Sequence, residues 1–101
     1  MSETAPTGEA AVVPQRPAPH PDVETAYLAP EAMLYYKRTG RVAHLNGPAA
    51  AVWMMLDGTT DPSALADELS QIFGTDVATI RPDVERVLSE FAQQGLLVEG
   101  G

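Results

Sequence analysis

Hydrophobic and polar positions change period along this chain close to Leu45. Before it, Val23–Leu28, Met33–Lys37 and Arg41–Leu45 are short runs containing aromatic and β-branched residues, separated by Ala29-Pro30-Glu31 and by Thr39-Gly40. Proline presets a turn and cannot donate to a ladder, and Thr-Gly closes a tight hairpin, so the three runs read as the strands of a meander. Residues 31–38 also include good helix formers, but so short a run between two breakers suits a strand better, as do Tyr35 and Tyr36. After Asn46 the spacing becomes helical. Asn46 caps, Pro48 has no N–H to lose in a first turn, and Ala49, Val52, Trp53 and Leu56 recur on one face until Gly58. A second helix opens at Asp61-Pro62 and carries Leu65, Leu69, Ile72 and Phe73 on one face up to Gly74. In the third, Ile80, Val84, Val87, Leu88 and Phe91 form a stripe that Gly95 ends, after which Leu96, Leu97 and Val98 pack back. Pro82 belongs in a first turn, which sets the start of this helix near Thr79 rather than at Asp76.

The elements sum to βββααα, an α+β domain with a three-stranded antiparallel sheet followed by a three-helix bundle, an arrangement like a winged helix-turn-helix. The domain spans residues 23–99. Residues 1–22 hold five of the nine prolines and too little aliphatic content for a core, so they read as a disordered Pro-rich extension, with His20 a solvated residue within it. A three-stranded meander that does not close has two open edges, and the third strand is one of them.

Charge and chemistry narrow the function. Fourteen acidic against six basic residues give a net charge of -8, which disfavours phosphate backbones and anionic membrane surfaces. There is no cysteine, hence no disulfide, thiolate nucleophile or cysteine-held metal, in keeping with a cytoplasmic protein. No stretch is apolar for long enough to span a bilayer, and no secretory signal opens the chain. His44 is the only histidine of residues 23–99, and Ser63, Ser70 and Ser89 lie in no nucleophile motif. No phosphate loop, dinucleotide fingerprint or calcium loop occurs, so neither catalytic residues, nor a metal site, nor a cofactor is expected. His44 fits a structural or partner-facing role on its strand, Asp67, Glu68, Asp83, Glu85 and Glu90 fit solvated helix faces, and Met54 and Met55 fit core filling. Lys37, Arg38 and Arg41 surround the hairpin while Arg81 and Arg86 lie on the third helix. They read either as one cationic border suited to an acidic peptide or as dispersed solubility charges. A winged-helix DNA-binding regulator is the alternative reading of the architecture, but its recognition helix would set Asp83, Glu85 and Glu90 against Arg81 and Arg86, a net repulsion toward DNA.

Leu45-Asn46, Trp53, Leu56-Asp57-Gly58-Thr59, Phe73, Asp83-Val84 and Gly95-Leu96-Leu97 occur in an order and spacing that resembles the PqqD-like family of peptide-binding modules, the RiPP recognition elements, over residues 23–99. The extension before the first strand and Pro82 depart from the pattern of its pyrroloquinoline quinone members, and that pathway is not assigned. The resemblance implies a non-catalytic chaperone that binds the leader segment of a ribosomally synthesised precursor peptide as an added strand. It would present that leader to a separate modifying enzyme, such as a radical SAM enzyme or a leader peptidase, in peptide natural-product biosynthesis. Carried onto this chain, the receiving strand is Arg41, Val42, Ala43, His44 and Leu45, and the last helix contributes Asp83, Arg86, Val87 and Glu90. An open edge permits either a monomer or an edge-paired dimer.

Overall fold

Strict alternation organises the sheet. The computed structural model describes residues 12–100, with elements β1 (Pro17–Pro19), β2 (Val23–Leu28), β3 (Glu31–Tyr36), β4 (Arg41–Leu45), α1 (Gly47–Met54), α2 (Pro62–Phe73), α3 (Val77–Gln93) and β5 (Leu97–Glu99). Strands β2, β3 and β4 form an antiparallel sheet in that order, with Tyr36 opposite both Val23 and Arg41. Ala32, Leu34 and Tyr36 are buried on the face that meets the helices, while Met33 and Tyr35 look outward. β3 begins two residues before the expected Met33 because the pairing Leu28↔Glu31 carries the ladder up to the Ala29-Pro30 turn.

The helices begin where their caps dictate. The Asn46 side chain accepts from Ala49 N–H at 3.0 Å and the Asp61 side chain from Ala64 N–H at 2.8 Å, each followed by a proline in the first turn. Gly74 closes α2 at φ 64, a left-handed conformation that glycine adopts without strain. Leu65, Leu69, Val84, Leu88 and Phe91 join Leu34 and Trp53 in one core. Trp53 is its centre. The indole N–H donates to the Thr25 hydroxyl of β2 at 2.9 Å, and the ring meets Phe91 of α3 edge-on at 5.3 Å between centroids.

Four expectations are corrected. Residues 12–22 of the extension are ordered on the domain: β1 pairs antiparallel with β5, Pro17 is buried, and the boundary at Val23 does not mark where structure begins. Proline lacks an N–H but still accepts, and here Gly58 N–H donates to Pro17 C=O at 3.2 Å and Gly100 N–H to Arg16 C=O at 2.8 Å. The Glu99 carboxylate completes the clasp by accepting from the N–H groups of Gln15 and Arg16. Residues 1–11 of the same extension lie outside the described residues. His20 is not a free tail residue, since its N–H donates to Leu96 C=O at 2.8 Å and its ring lies 5.1 Å from that of Tyr36. Helix α3 starts at Val77, with Asp76 C=O accepting from Thr79 and Ile80 N–H, because packing of Val77 and Ile80 against the core outweighs the N–H that Pro82 cannot supply. Finally, Ile72 is 65% and Phe73 49% exposed, so the buried stripe of α2 stops at Leu69.

Two stability effects follow. Thr25→Val keeps the shape of the side chain but leaves a buried indole N–H without its acceptor, and should cost about 1–3 kcal/mol in urea unfolding. Asp57 accepts from Thr59 N–H at 2.9 Å and from the N–H and hydroxyl of Thr60 at 3.0 Å. These bonds, that of Thr59 N–H foremost, hold its carboxyl below the ordinary value of 3.8. A lowered folded-state value means the contribution is present above the ordinary value and is lost as pH falls through the folded one. Asp57→Ala should therefore be less stable than the parent at neutral pH, and urea midpoints measured down the acid range should show the gap closing.

Candidate peptide-binding edge and groove

The backbone decides what β4 offers. Lys37 N–H donates to Asp22 C=O at 2.9 Å, and Gly40 N–H to Tyr36 C=O at 2.8 Å. Antiparallel ladders alternate, so Glu24, Ala26 and Leu28 bond to Tyr35, Met33 and Glu31, while Ala32, Leu34 and Tyr36 aim their polar groups at Leu45, Ala43 and Arg41. That leaves the N–H and C=O of Val42 and His44 pointing away from the sheet. β4 is a terminal strand of the sheet order, and these groups have no strand beside them among the described residues.

Side chains divide between two faces. Arg41, Ala43 and Leu45 share the helix-facing side with Tyr36, Leu34 and Ala32, and Leu45 is buried in the core. Val42, 60% exposed, and His44 stand on the outer face, where His44 Nε2 lies 2.8 Å from Glu31 Oε1 across two strands. Of the expected strand residues, all five lie on the edge strand, but only Arg41 and Ala43 turn accessible side chains toward the helices.

Beside Asn46, where β4 ends, a groove of about 380 Å³ opens between the helices. Its walls include Ala49 of α1, Phe73 of α2 and Ile80 of α3, and its α3 rim carries Asp83, Arg86, Val87 and Glu90 together. All four expected helix residues thus lie along one groove, although Val87 is buried and forms floor rather than rim. Arg86 is held between Asp83 at 3.9 Å and Glu90 at 3.4 Å, one turn either way on the helix. A second hollow of about 20 Å³ joins Arg41, Val42 and Ala43 to Gln94 and Leu96 beyond the other end of α3. Groove residues that the sequence reading did not place at the site include Asn46, Phe73, Thr79 and Ile80. Phe73 and Ile80 were legible as apolar helix positions, but nothing in the spacing distinguished groove wall from core.

The cations do not share one border. Lys37 pairs with Glu24 at 3.6 Å and Arg38 with Asp22 at 3.6 Å, both on the β2 side, and Arg81 lies 3.9 Å from Asp67 of α2. With Asp83 and Glu90 flanking Arg86, the groove rim is not cationic and does not suit an acidic peptide. Among the described residues no group of three or more His, Asp or Glu side chains is placed to hold a metal ion, and no helix is long and apolar enough to cross a membrane.

Residues 31–97 match the family model described as coenzyme PQQ synthesis protein D (PqqD), which takes in β3, β4, the helices and the turn into β5. The chain belongs to the PqqD family. No curated protein matches it closely enough to extend that assignment. Two solved structures share the fold of this PqqD-family chain. One is TbiB1 in complex with the TbiA(beta) leader peptide, 22% identical over 79% of this chain and 93% of that one, with a TM-score of 0.71. The other is lasso peptide synthetase B1 complexed with the leader peptide, 18% identical over 82% of this chain and 98% of that one, with a TM-score of 0.70.

Because the Arg86 pairs are solvent-exposed, they contribute little to folding. Arg86→Ala should move the unfolding free energy by no more than about 0.5 kcal/mol in urea titrations, which makes it a usable probe of the groove.

Proposed function

We propose that this PqqD-family chain is a non-catalytic, cytoplasmic peptide chaperone that takes the leader segment of a ribosomally made precursor as a fourth strand along β4. It then presents that leader to a separate modifying enzyme, for which a radical SAM enzyme and a leader peptidase are both compatible classes. The observation that carries this reading is the free backbone of Val42 and His44 on β4, a strand whose end at Leu45 leads through Asn46 into a groove lined by the three helices. Main-chain hydrogen bonds along the edge supply affinity that tolerates sequence, and the alternation of an added strand sends every second side chain toward the helices and the others onto the outer face beside Val42. Residues Arg41, Val42, Ala43, His44 and Leu45 supply the strand, with Asp83, Arg86, Val87 and Glu90 along the groove. Family membership supports the reading, as do two structural neighbours whose own complexes hold leader peptides. Binding to DNA as a winged helix is disfavoured by α3 itself, where Arg81 and Arg86 are both paired with carboxylates.

The test uses a synthetic leader from a precursor encoded beside this chain. Calorimetry should give a Kd of roughly micromolar or tighter, with only weak dependence on salt. Val42→Pro removes a donor from the open edge without breaking a bond to β3, and should abolish binding while circular dichroism remains that of the parent. Full affinity in a folded Val42→Pro protein would exclude strand addition at β4, and a steep salt slope with duplex DNA would favour the regulator instead.

A further inference from the structure

The sheet has a second open edge. β2 is six residues long and, among the described residues, pairs only with β3. The alternation that frees Val42 and His44 on β4 also frees the N–H and C=O of Thr25 and Tyr27 on β2, whereas Val23 N–H is taken by His20 C=O. Edge strands are ordinarily protected by a lysine, a proline, a bulge or a covering segment. β2 has none of these within it: its register runs unbroken from Val23↔Tyr36 to Leu28↔Glu31, and Glu24 is its one charged residue. Helix α1 packs mainly against β3 and β4 and reaches β2 through the Trp53–Thr25 hydrogen bond. Tyr27 on the inner face and Leu28 on the outer face are 51% and 64% exposed.

We propose that β2 is the surface through which a second copy of this chain binds, by antiparallel pairing of β2 with β2 about a two-fold axis at Ala26. The strand is self-complementary in that register. Thr25 of one copy lies opposite the partner's Tyr27 and the reverse, so the free N–H and C=O groups of each find those of the other. The residues keep their faces, which continues both three-stranded sheets into one without turning apolar side chains over. Glu24 lies opposite the partner's Leu28, which keeps the two glutamates well apart, whereas an axis at Thr25 would set them diagonally adjacent. With a net charge of -8 on each copy, long-range repulsion opposes the contact and salt relieves it. Both β4 edges stay open at the far ends of the joined sheet, so a dimer formed this way retains two sites of the kind proposed above, and the inference stands whether or not a leader is what they bind.

Sedimentation velocity on the full chain tests it. The parent should show a reversible monomer–dimer equilibrium within protein concentrations up to ~1 mM, shifted toward dimer by added sodium chloride. Tyr27→Pro removes an open-edge donor from each copy and spares the β3 ladder, so the dimer should weaken roughly tenfold or more. Ala26→Lys sets two like charges across the axis at an exposed position and should weaken it as well, which keeps the test valid if the proline variant fails to fold. A parent that is monomeric at every concentration and salt overturns the proposal. So does a dimer that survives both β2 substitutions but is lost in Val42→Pro or on saturation with leader peptide, because β4 is then the self-pairing edge.

Discussion

A buried indole must place its N–H on an acceptor, and in this domain that requirement joins the sheet to the helices. Trp53 is 2% exposed, and the acceptor it finds is the Thr25 hydroxyl of β2. Leaving that donor unpaired would cost about 1–3 kcal/mol, a large part of the margin available to so small a domain. The ring also meets Phe91 of α3 in a T-shaped contact, which ties that helix to the same residue. Beside Asn46, at the end of β4, the three helices held around this contact leave a groove open between them.

The proposed site combines a backbone edge with a side-chain groove, and the two have different physical origins. The edge exists because an open three-stranded antiparallel sheet must end somewhere, and it would exist with almost any residues at Val42 and His44. The groove depends on particular side chains, Ala49 giving space while Phe73 and Ile80 give apolar walls. Under the proposed reading, recognition at the edge would be generic and recognition in the groove selective.

The ribbon of β1 and β5 adds a constraint that the core does not supply. It ties the chain before β2 to the chain after α3 and brings Gly100 against Gly58, where a Cβ on Gly100 would overlap the Gly58 backbone. The loop after α1 is in this way fastened from two sides, by the Asp57 turn within it and by the ribbon across it. Both β1 and β2 lie ahead of the segment matched by the family model, residues 31–97.

Much of this was written locally. The three sheet strands, the Asn46 and Asp61 caps, the Gly74 stop and the core positions Trp53, Leu65, Leu69, Val84, Leu88 and Phe91 follow from short-range periodicity and capping chemistry, because each depends on neighbours a few residues away. The strand order made β4 an edge as soon as three strands were recognised. What tertiary structure decided is everything that depends on residues distant in sequence. Pro17–Pro19 became a strand because Leu97–Glu99 offered it a ladder, although its composition argued for disorder. Val77 became helical because its side chain had a core to pack against, against the preference of Pro82 for a first turn. Ile72 and Phe73 read like Leu65 and Leu69 in the sequence, but α2 meets α3 along only part of its length, so the last apolar turn is left at the surface and at the groove wall. The cations clustered in sequence separate in space, since the meander turns Lys37 and Arg38 toward β2 and leaves Arg86 alone of them on the groove rim, between two carboxylates. Periodicity fixes which face a residue occupies; only the packed structure fixes what that face meets.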